Sequence, residues 1–177
     1  MEQQRGQGLV AYLALQHGMK GGLGKKAAQK LMHILTSIGK IDTGFEFSFY
    51  TYGAFSRELA STIDILSNSD VIDVKYNAYD NSYSIKSTDN SAALIENLRH
   101  DIRSEADRVW NKFSGKTASE LELLSTILFV HDEENIPITH PDMTTRVKLL
   151  KPKYSNSHIS LAQGQLDEIV QVLAADQ

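Results

Sequence analysis

The sequence predicts a mostly α-helical α+β protein, with a winged-helix-like N-terminal half that carries a β-hairpin wing and packed helices after it. Apolar residues recur at helical spacing along most of the 177 residues. One aromatic stretch alternates with a period of two, and a turn-forming segment separates two short alternating runs. Residues 1–90 are expected to form the winged-helix-like region and residues 91–177 a helical region packed on it. Because no long linker divides them, one single domain also fits.

Two helices open the chain. Apolar side chains follow a helical spacing from Leu9, and Gly18 ends this first helix. The second helix covers residues 25–38, with its apolar side chains on one face and Gly39 directly after it. The segment GGLG between them predicts a flexible connection.

An aromatic strand and a third helix follow. Phe45, Phe47 and Phe49 alternate with polar residues, the period of a strand with one buried face. Gly53 breaks this strand, and apolar residues on one face predict the third helix over residues 55–67.

A β-hairpin comes directly after the third helix. Residues 71–76 and 83–87 each alternate between apolar or aromatic and polar side chains, and the turn formers AYDNS separate them. Three helices, a strand before the third and a hairpin after it follow the element order of a winged helix.

The remaining chain is expected to be helical. An apolar stripe over residues 95–113 predicts one long helix, and Thr117 with Glu120 forms a capping box that starts the next. Pro141 suits the first turn of a further helix, and Pro152 ends that element. A last helix completes the chain.

Composition restricts the class of protein. With 41% hydrophobic and 23% charged residues, the chain is globular in character. It has no cysteine, which excludes disulfides and thiolate metal sites. The start MEQQRGQG lacks the apolar core of a secretory signal, and no apolar run approaches the ~20 residues that span a bilayer. We therefore expect a cytoplasmic protein with no membrane partner.

Charge is distributed unevenly along the chain. Residues 1–40 hold six basic residues and one acidic residue, a net charge of +5, whereas the rest holds 12 basic and 21 acidic residues, a net charge of −9. Such asymmetry marks either a patch for an acidic partner or an ordinary solvated face. Lys25 and Lys26 in the first turn of the second helix oppose the helix dipole, which hints at contact with a phosphate or carboxylate.

Several segments carry a resemblance to a known family. LGKKAAQKLMHIL followed by FEFSFYTYGAFSREL resembles the YwgA-like family of small bacterial proteins, which pair a Gly-Arg/Lys-Lys-x-x-Gln-Lys helix start with an aromatic strand and Tyr-Gly-Pro-aromatic-Ser. ELELLSTILFV and LLKPKY resemble the family's C-terminal helices. The resemblance covers residues 9–70 well and the rest loosely.

This family in turn resembles the Panacea, or SocA-like, antitoxin domains. The resemblance implies a non-enzymatic antitoxin-like or adaptor protein that acts by contact with another protein, such as a cognate toxin. The chain departs from the family at Ala54, where the family has Pro. Because Pro suits a helix N-terminus, Ala54 is expected to loosen that turn without abolishing it.

The aromatic stretch has three interpretations. Alternation sends the three Phe rings to one face, where core packing is the favoured role. Base stacking needs exposed rings beside cations, and no basic residue lies between Lys40 and Arg57. The remaining interpretation is recognition of a protein partner through a surface of Tyr50, Tyr52, Phe55 and Arg57.

No catalytic set, cofactor site or metal site emerges from the sequence. GGLGKKAAQK fails the phosphate-loop pattern, which would need glycine at Met19 and a hydroxyl residue at Lys26. HDEE at residues 131–134 and His140 match no metal-site spacing and are expected to form a solvated acidic loop. Ser104 lacks the strained turn of a catalytic serine.

The alternative function is that of a winged-helix DNA-binding regulator. Its basic edge would comprise Lys25, Lys26 and Lys30, with Lys75 and Lys86 on the wing. The third helix is expected to expose one cation and two anions, a poor combination for binding phosphates. The sequence therefore favours weak DNA binding at most, and it leaves self-association open.

Overall fold

The N-terminal part of the chain forms the two expected helices. The computed structural model describes residues 2–18 and 21–175; Met19 and Lys20, which entered the phosphate-loop and charge arguments, lie outside them. Helix α1 spans Glu2–Gly18 and helix α2 spans Lys25–Ser37. Between them lies the two-residue strand β1, Leu23–Gly24, which is too short to show a pattern in the sequence.

The aromatic stretch forms a small hairpin of its own. Strand β2, Ser48–Tyr50, pairs antiparallel with strand β3, Gly53–Phe55, and Tyr50 lies opposite Gly53. The expected strand from Phe45 is therefore wrong in its start. Gly53 also does not end the β-structure, because the chain turns back and β3, which begins at Gly53, pairs with β2.

The third helix begins two residues later than expected. Helix α3 spans Arg57–Asn68, and Ser56 is its N-cap. The Ser56 hydroxyl accepts the backbone N–H of Leu59 at 3.2 Å. Ser56 is buried in this capping position and does not lie on the exposed surface of the helix.

The β-hairpin expected directly after the third helix is confirmed, and we keep the label wing for it. Strands β4, Ile72–Asn77, and β5, Ser82–Ser87, are antiparallel, with Val74 opposite Ile85. Strand β1 pairs with the other edge of β5, which gives a three-stranded sheet in the order β1-β5-β4.

The C-terminal half contains five α-helices after a short 3-10 turn. They are α4 (Ala92–Glu96), α5 (His100–Phe113), α6 (Ala118–Glu134), α7 (Met143–Leu150) and α8 (Asn156–Ala175). The long helix expected over residues 95–113 is wrong, because the chain leaves helical geometry between α4 and α5. Leu98 in this break is buried and packs closely against Gly8 of α1, a tertiary contact that the apolar spacing does not reveal.

Two smaller expectations for this half also change. The capping box of Thr117 and Glu120 is present, but α6 continues through residues 131–134, so HDEE is the last turn of a helix and not a loop. Pro141 precedes the start of α7, whereas Pro152 follows its end as expected.

One apolar core joins the two halves. Buried side chains of α1, α2 and α3 cluster with those of α5, α6 and α8, and α6 packs directly against α2. The described residues form eight α-helices and two small antiparallel sheets, a mostly α-helical α+β fold. Within residues 2–18 and 21–175, no helix combines the length and apolar character needed to cross a membrane.

Candidate functional site

The backbone at the exit of the β2–β3 hairpin is held by a buried amide. Gln29 of α2 is 5% exposed. Its Oε1 accepts the N–H of Ser56 at 2.8 Å, and its Nε2 donates to the carbonyl oxygen of Ser56 at 3.0 Å. Both backbone groups of Ser56 are thereby satisfied away from water.

Lys30 holds the next carbonyl along the hairpin. Its ammonium donates to the carbonyl oxygen of Ala54 at 2.7 Å, and the residue is only 3% exposed. The pKa of Lys30 is lowered to about 8, chiefly by burial, with Glu122 opposing the shift and the positive charges of Lys151 and Lys26 adding to it. The sequence predicted that Lys30 belongs to an exposed basic edge. This prediction is wrong, because Lys30 is buried.

Lys151, at the end of α7, holds the turn of the hairpin from the other side. Its ammonium donates to the carbonyl oxygen of Thr51 at 2.7 Å and lies 2.7 Å from Glu122 Oε1. Glu122 also accepts Lys153 at 3.0 Å. Burial alone would raise the pKa of Glu122, but the two lysines outweigh it and hold the pKa below its usual range.

This cluster brings together four segments that lie far apart in the chain. Gln29 and Lys30 belong to LGKKAAQKLMHIL, Glu122 belongs to ELELLSTILFV, and Lys151 belongs to LLKPKY, and all of them meet around FEFSFYTYGAFSREL. No pattern in the sequence predicted a role for Gln29, Glu122 or Lys151. For Lys30, the spacing of four residues from buried Ile34 was the available indication, because it places both residues on one helix face.

Gly53 is the residue at which the hairpin meets α6. Its φ is +86°, and a Cβ atom there would lie 3.3 Å from Thr126 Oγ1. The positive φ favours glycine, and an added Cβ would also crowd the Thr126 hydroxyl. Ala54 is fully buried in β3 and lies three residues before α3. The expectation that Ala54 loosens a helix N-terminus is therefore wrong.

We call the cluster of Gln29, Lys30, Glu122 and Lys151 the buried base. The predicted partner-binding residues lie together above it. Tyr50 and Tyr52 are 44% and 56% exposed. Arg57 Nη2 donates to the Tyr50 hydroxyl at 2.6 Å, and the half-buried Phe55 ring lies 5.4 Å from the Tyr50 ring. Lys26 joins them, with Nζ 4.3 Å from the centre of the Tyr52 ring. We call Tyr50, Tyr52, Phe55 and Arg57 the hairpin surface.

The three Phe rings of the stretch face inward to different degrees. Phe45 is 9% exposed, whereas Phe47 and Phe49 are half-buried. Phe47 packs against the core, and the Phe49 ring lies 5.3 Å from that of Phe129 on α6.

The predicted nucleic-acid-binding lysines do not form one open face. Lys30 is buried, and Lys25 is half-buried with Nζ 3.1 Å from Asp64 Oδ1 on α3. Lys26 stacks on Tyr52. On the wing, Lys75 pairs with Asp73 at 2.8 Å and Lys86 is exposed.

The wing carries a group of exposed tyrosines that the sequence did not predict. Tyr76 and Tyr83 are exposed on opposite strands with their rings 5.1 Å apart, and Tyr79 is fully exposed at the tip. The alternation of these residues was visible, but their exposure was not, because the sheet face that they occupy is left uncovered.

Two cavities adjoin the hairpin surface and share Lys26, Lys30 and Tyr52. The first has a volume of about 210 Å³. It is lined in addition by Ala118 and by the polar or charged residues Ser119, Glu122 and Lys153. The second, of about 170 Å³, extends between α2 and α3 and is lined in addition by Lys25, Gln29, Phe55, Ala60, Ile63 and Asp64.

Comparison with known proteins assigns no family. No protein-family model matches the chain, and no curated protein matches it significantly. In the part of the chain that the structure describes, no group of three or more His, Asp and Glu residues is placed to hold a metal ion. The hairpin surface and the buried cluster beneath it are the features of this chain that bear on function.

Proposed function

We propose that this protein is a non-enzymatic antitoxin-like or adaptor protein that binds another protein through the hairpin surface. The observation that carries the proposal is the combination of exposed aromatic and arginine side chains with a buried base. Carbonyls of Thr51, Ala54 and Ser56 are each held by a side chain from α2 or the end of α7. A loop ordered in advance loses little entropy on binding, and Tyr and Arg are residues in which binding energy concentrates.

The charge around the hairpin surface indicates the kind of partner. Arg57 is exposed on one side of the surface, and Lys26 and Lys153 are exposed on the other. Complementarity then favours an acidic surface on the partner. The resemblance to antitoxin domains supports a toxin as that partner, and we place the interaction in the cytoplasm.

DNA binding is the alternative, and the geometry supports it less well. The sheet order β1-β5-β4 beside α3 suits a winged helix. However, the exposed face of α3 presents Arg57 together with Glu58 and Asp64. Phosphate neutralisation supplies most of the affinity of such proteins for DNA, and few unpaired cations are offered here. Gel retardation of duplex DNA at low and moderate salt, with Lys26→Glu as the variant, tests this alternative.

The experiment for the proposed function is capture of the partner followed by titration calorimetry. The partner is co-purified from the native host and then titrated with the double variant Arg57→Ala, Tyr50→Ala. Both side chains are exposed, so the melting temperature should stay near that of the wild type. The affinity should fall by more than about thirtyfold.

Tyr79→Ala is the control, because it removes a fully exposed tyrosine at the wing tip, away from the hairpin surface. It should bind as the wild type does. Equal affinity of the double variant and the wild type, or a loss only in Tyr79→Ala, would move the binding surface away from the hairpin.

A further inference from the structure

The polar cavity beside the hairpin surface has an unusual balance of charge. Its lining contains the ammonium groups of Lys26, Lys30 and Lys153 and one carboxylate, that of Glu122. Lys151 is buried directly behind this carboxylate. The lining therefore carries two positive charges in excess, and Lys151 adds a third.

The positive charge of Lys30 is not neutralised by its own partner. Its ammonium donates to a carbonyl oxygen, that of Ala54, while the carboxylate of Glu122 is engaged by Lys151 and Lys153. A buried cation without a matching anion is costly. An anion in the cavity would offset that cost through charge-assisted hydrogen bonds.

The neighbouring cavity is of different character. Phe55, Ala60 and Ile63 provide apolar walls between α2 and α3. Tyr52 and Lys26, stacked on each other, stand between the two cavities and belong to both. A single ligand could place a charged group on one side of this pair and an apolar group on the other.

We propose that the two adjoining cavities bind an organic carboxylate that carries an apolar substituent. The carboxylate would lie among Lys26, Lys30 and Lys153, and the substituent against Phe55 and Ile63. A carboxylate with an apolar substituent is preferred to inorganic phosphate, because only the organic ligand also fills the cavity lined by Phe55 and Ile63. The proposal does not depend on the protein-partner function.

The first experiment compares N-acetyl-leucine with its neutral amide and with inorganic phosphate, by NMR titration of the labelled full chain. N-acetyl-leucine should shift the backbone amide resonances of Tyr52 and Phe55 in a saturable manner. The amide should cause no comparable shift, and phosphate should bind more weakly. Equal binding of acid and amide, or tighter binding of phosphate, would overturn the proposal.

The second experiment identifies the charges responsible. Lys26→Gln and Lys153→Gln should each weaken binding of N-acetyl-leucine by about tenfold, the loss expected for a charge-assisted hydrogen bond. Lys112→Gln is the matched control, since Lys112 is exposed on α5 and lines neither cavity. Unchanged affinity in both cavity variants would overturn the proposal.

A third measurement follows Lys30 itself. Bound carboxylate should raise the pKa of Lys30 from about 8. The pKa is read from the side-chain carbon resonances of Lys30. The other charged groups that act on Lys30, namely Lys26, Lys151 and Glu122, are present in both the free and the bound protein. No change at saturation would contradict contact with Lys30. The Arg57→Ala, Tyr50→Ala variant should still bind N-acetyl-leucine, so failure of the hairpin surface and failure of this site are distinguishable.

Discussion

Lys151 donates to the carbonyl oxygen of Thr51 at 2.7 Å across a separation of 100 residues in the chain. The end of α7 thereby determines the position of the β2–β3 turn, and Glu122 on α6 balances the charge of Lys151 at 2.7 Å. Because this contact joins the two halves of the chain, we expect residues 1–90 and 91–177 to fold as one unit. The proposed binding surface lies directly above it.

Replacing Lys151 with Met should destabilise the fold strongly. The change removes one partner of a buried ion pair and leaves Thr51 without its donor, at a cost of about 3–5 kcal/mol. Lys153→Met is the comparison, because Lys153 is exposed and should cost within about 1 kcal/mol. Urea unfolding measures both. Similar losses for the two variants would show that burial of Lys151 does not decide the energy.

Gly53→Ala should destabilise the protein more than Gly21→Ala. Both positions have positive φ, of +86° and +96°, and an Ala at either should cost about 1–2 kcal/mol. At Gly53 the new Cβ would also meet Thr126 Oγ1 at 3.3 Å, whereas at Gly21 it meets no atom of the described residues within 4 Å. Chemical denaturation of the two variants separates backbone strain from crowding, and equal losses would contradict the crowding.

Phe45→Ala should cost more stability than Phe49→Ala. Phe45 is 9% exposed, so truncation should cost about 3–5 kcal/mol. Phe49 is half-buried, and its loss should be smaller. Thermal unfolding checks the order. If Phe49→Ala melts as the wild type does but no longer binds a partner, β2 would belong to the interaction surface.

Acid should destabilise the protein through His33. The pKa of His33 is lowered to about 4, chiefly by burial, with Asp132 opposing the shift and Lys30 adding to it. The folded pKa therefore lies below the unfolded value of about 6.5. Stability from the neutral ring is complete above the unfolded pKa and is lost as the pH falls from there towards 4, by roughly 3 kcal/mol.

The control for this pH dependence is His33→Gln, which cannot titrate and retains a group able to hydrogen-bond Ser125, the present partner of His33 Nδ1 at 3.0 Å. The difference in unfolding free energy between wild type and variant should narrow or reverse between pH 7 and pH 4. A constant difference across that range would show that His33 is not the responsible group.

Local patterns were sufficient for most of the helices and for the wing. Helical spacing predicted α2, and the AYDNS turn between alternating runs predicted β4 and β5. The capping box at Thr117 and Glu120 depends on residues three apart and was read correctly. These features arise from interactions within a few residues, so the sequence determined them without knowledge of the rest of the chain.

The buried polar base of the site was decided only by the tertiary structure. A lysine in a sequence is expected in water, and Lys30 and Lys151 become buried because distant backbone carbonyls and Glu122 satisfy them. Strands β1 and β3, with two and three residues, show no period of their own and exist because a partner strand lies beside them. The sequence thus determined most of the helices and the β4–β5 hairpin. Contacts between residues as far apart as Thr51 and Lys151 determined which charges are buried and where the exposed aromatics stand.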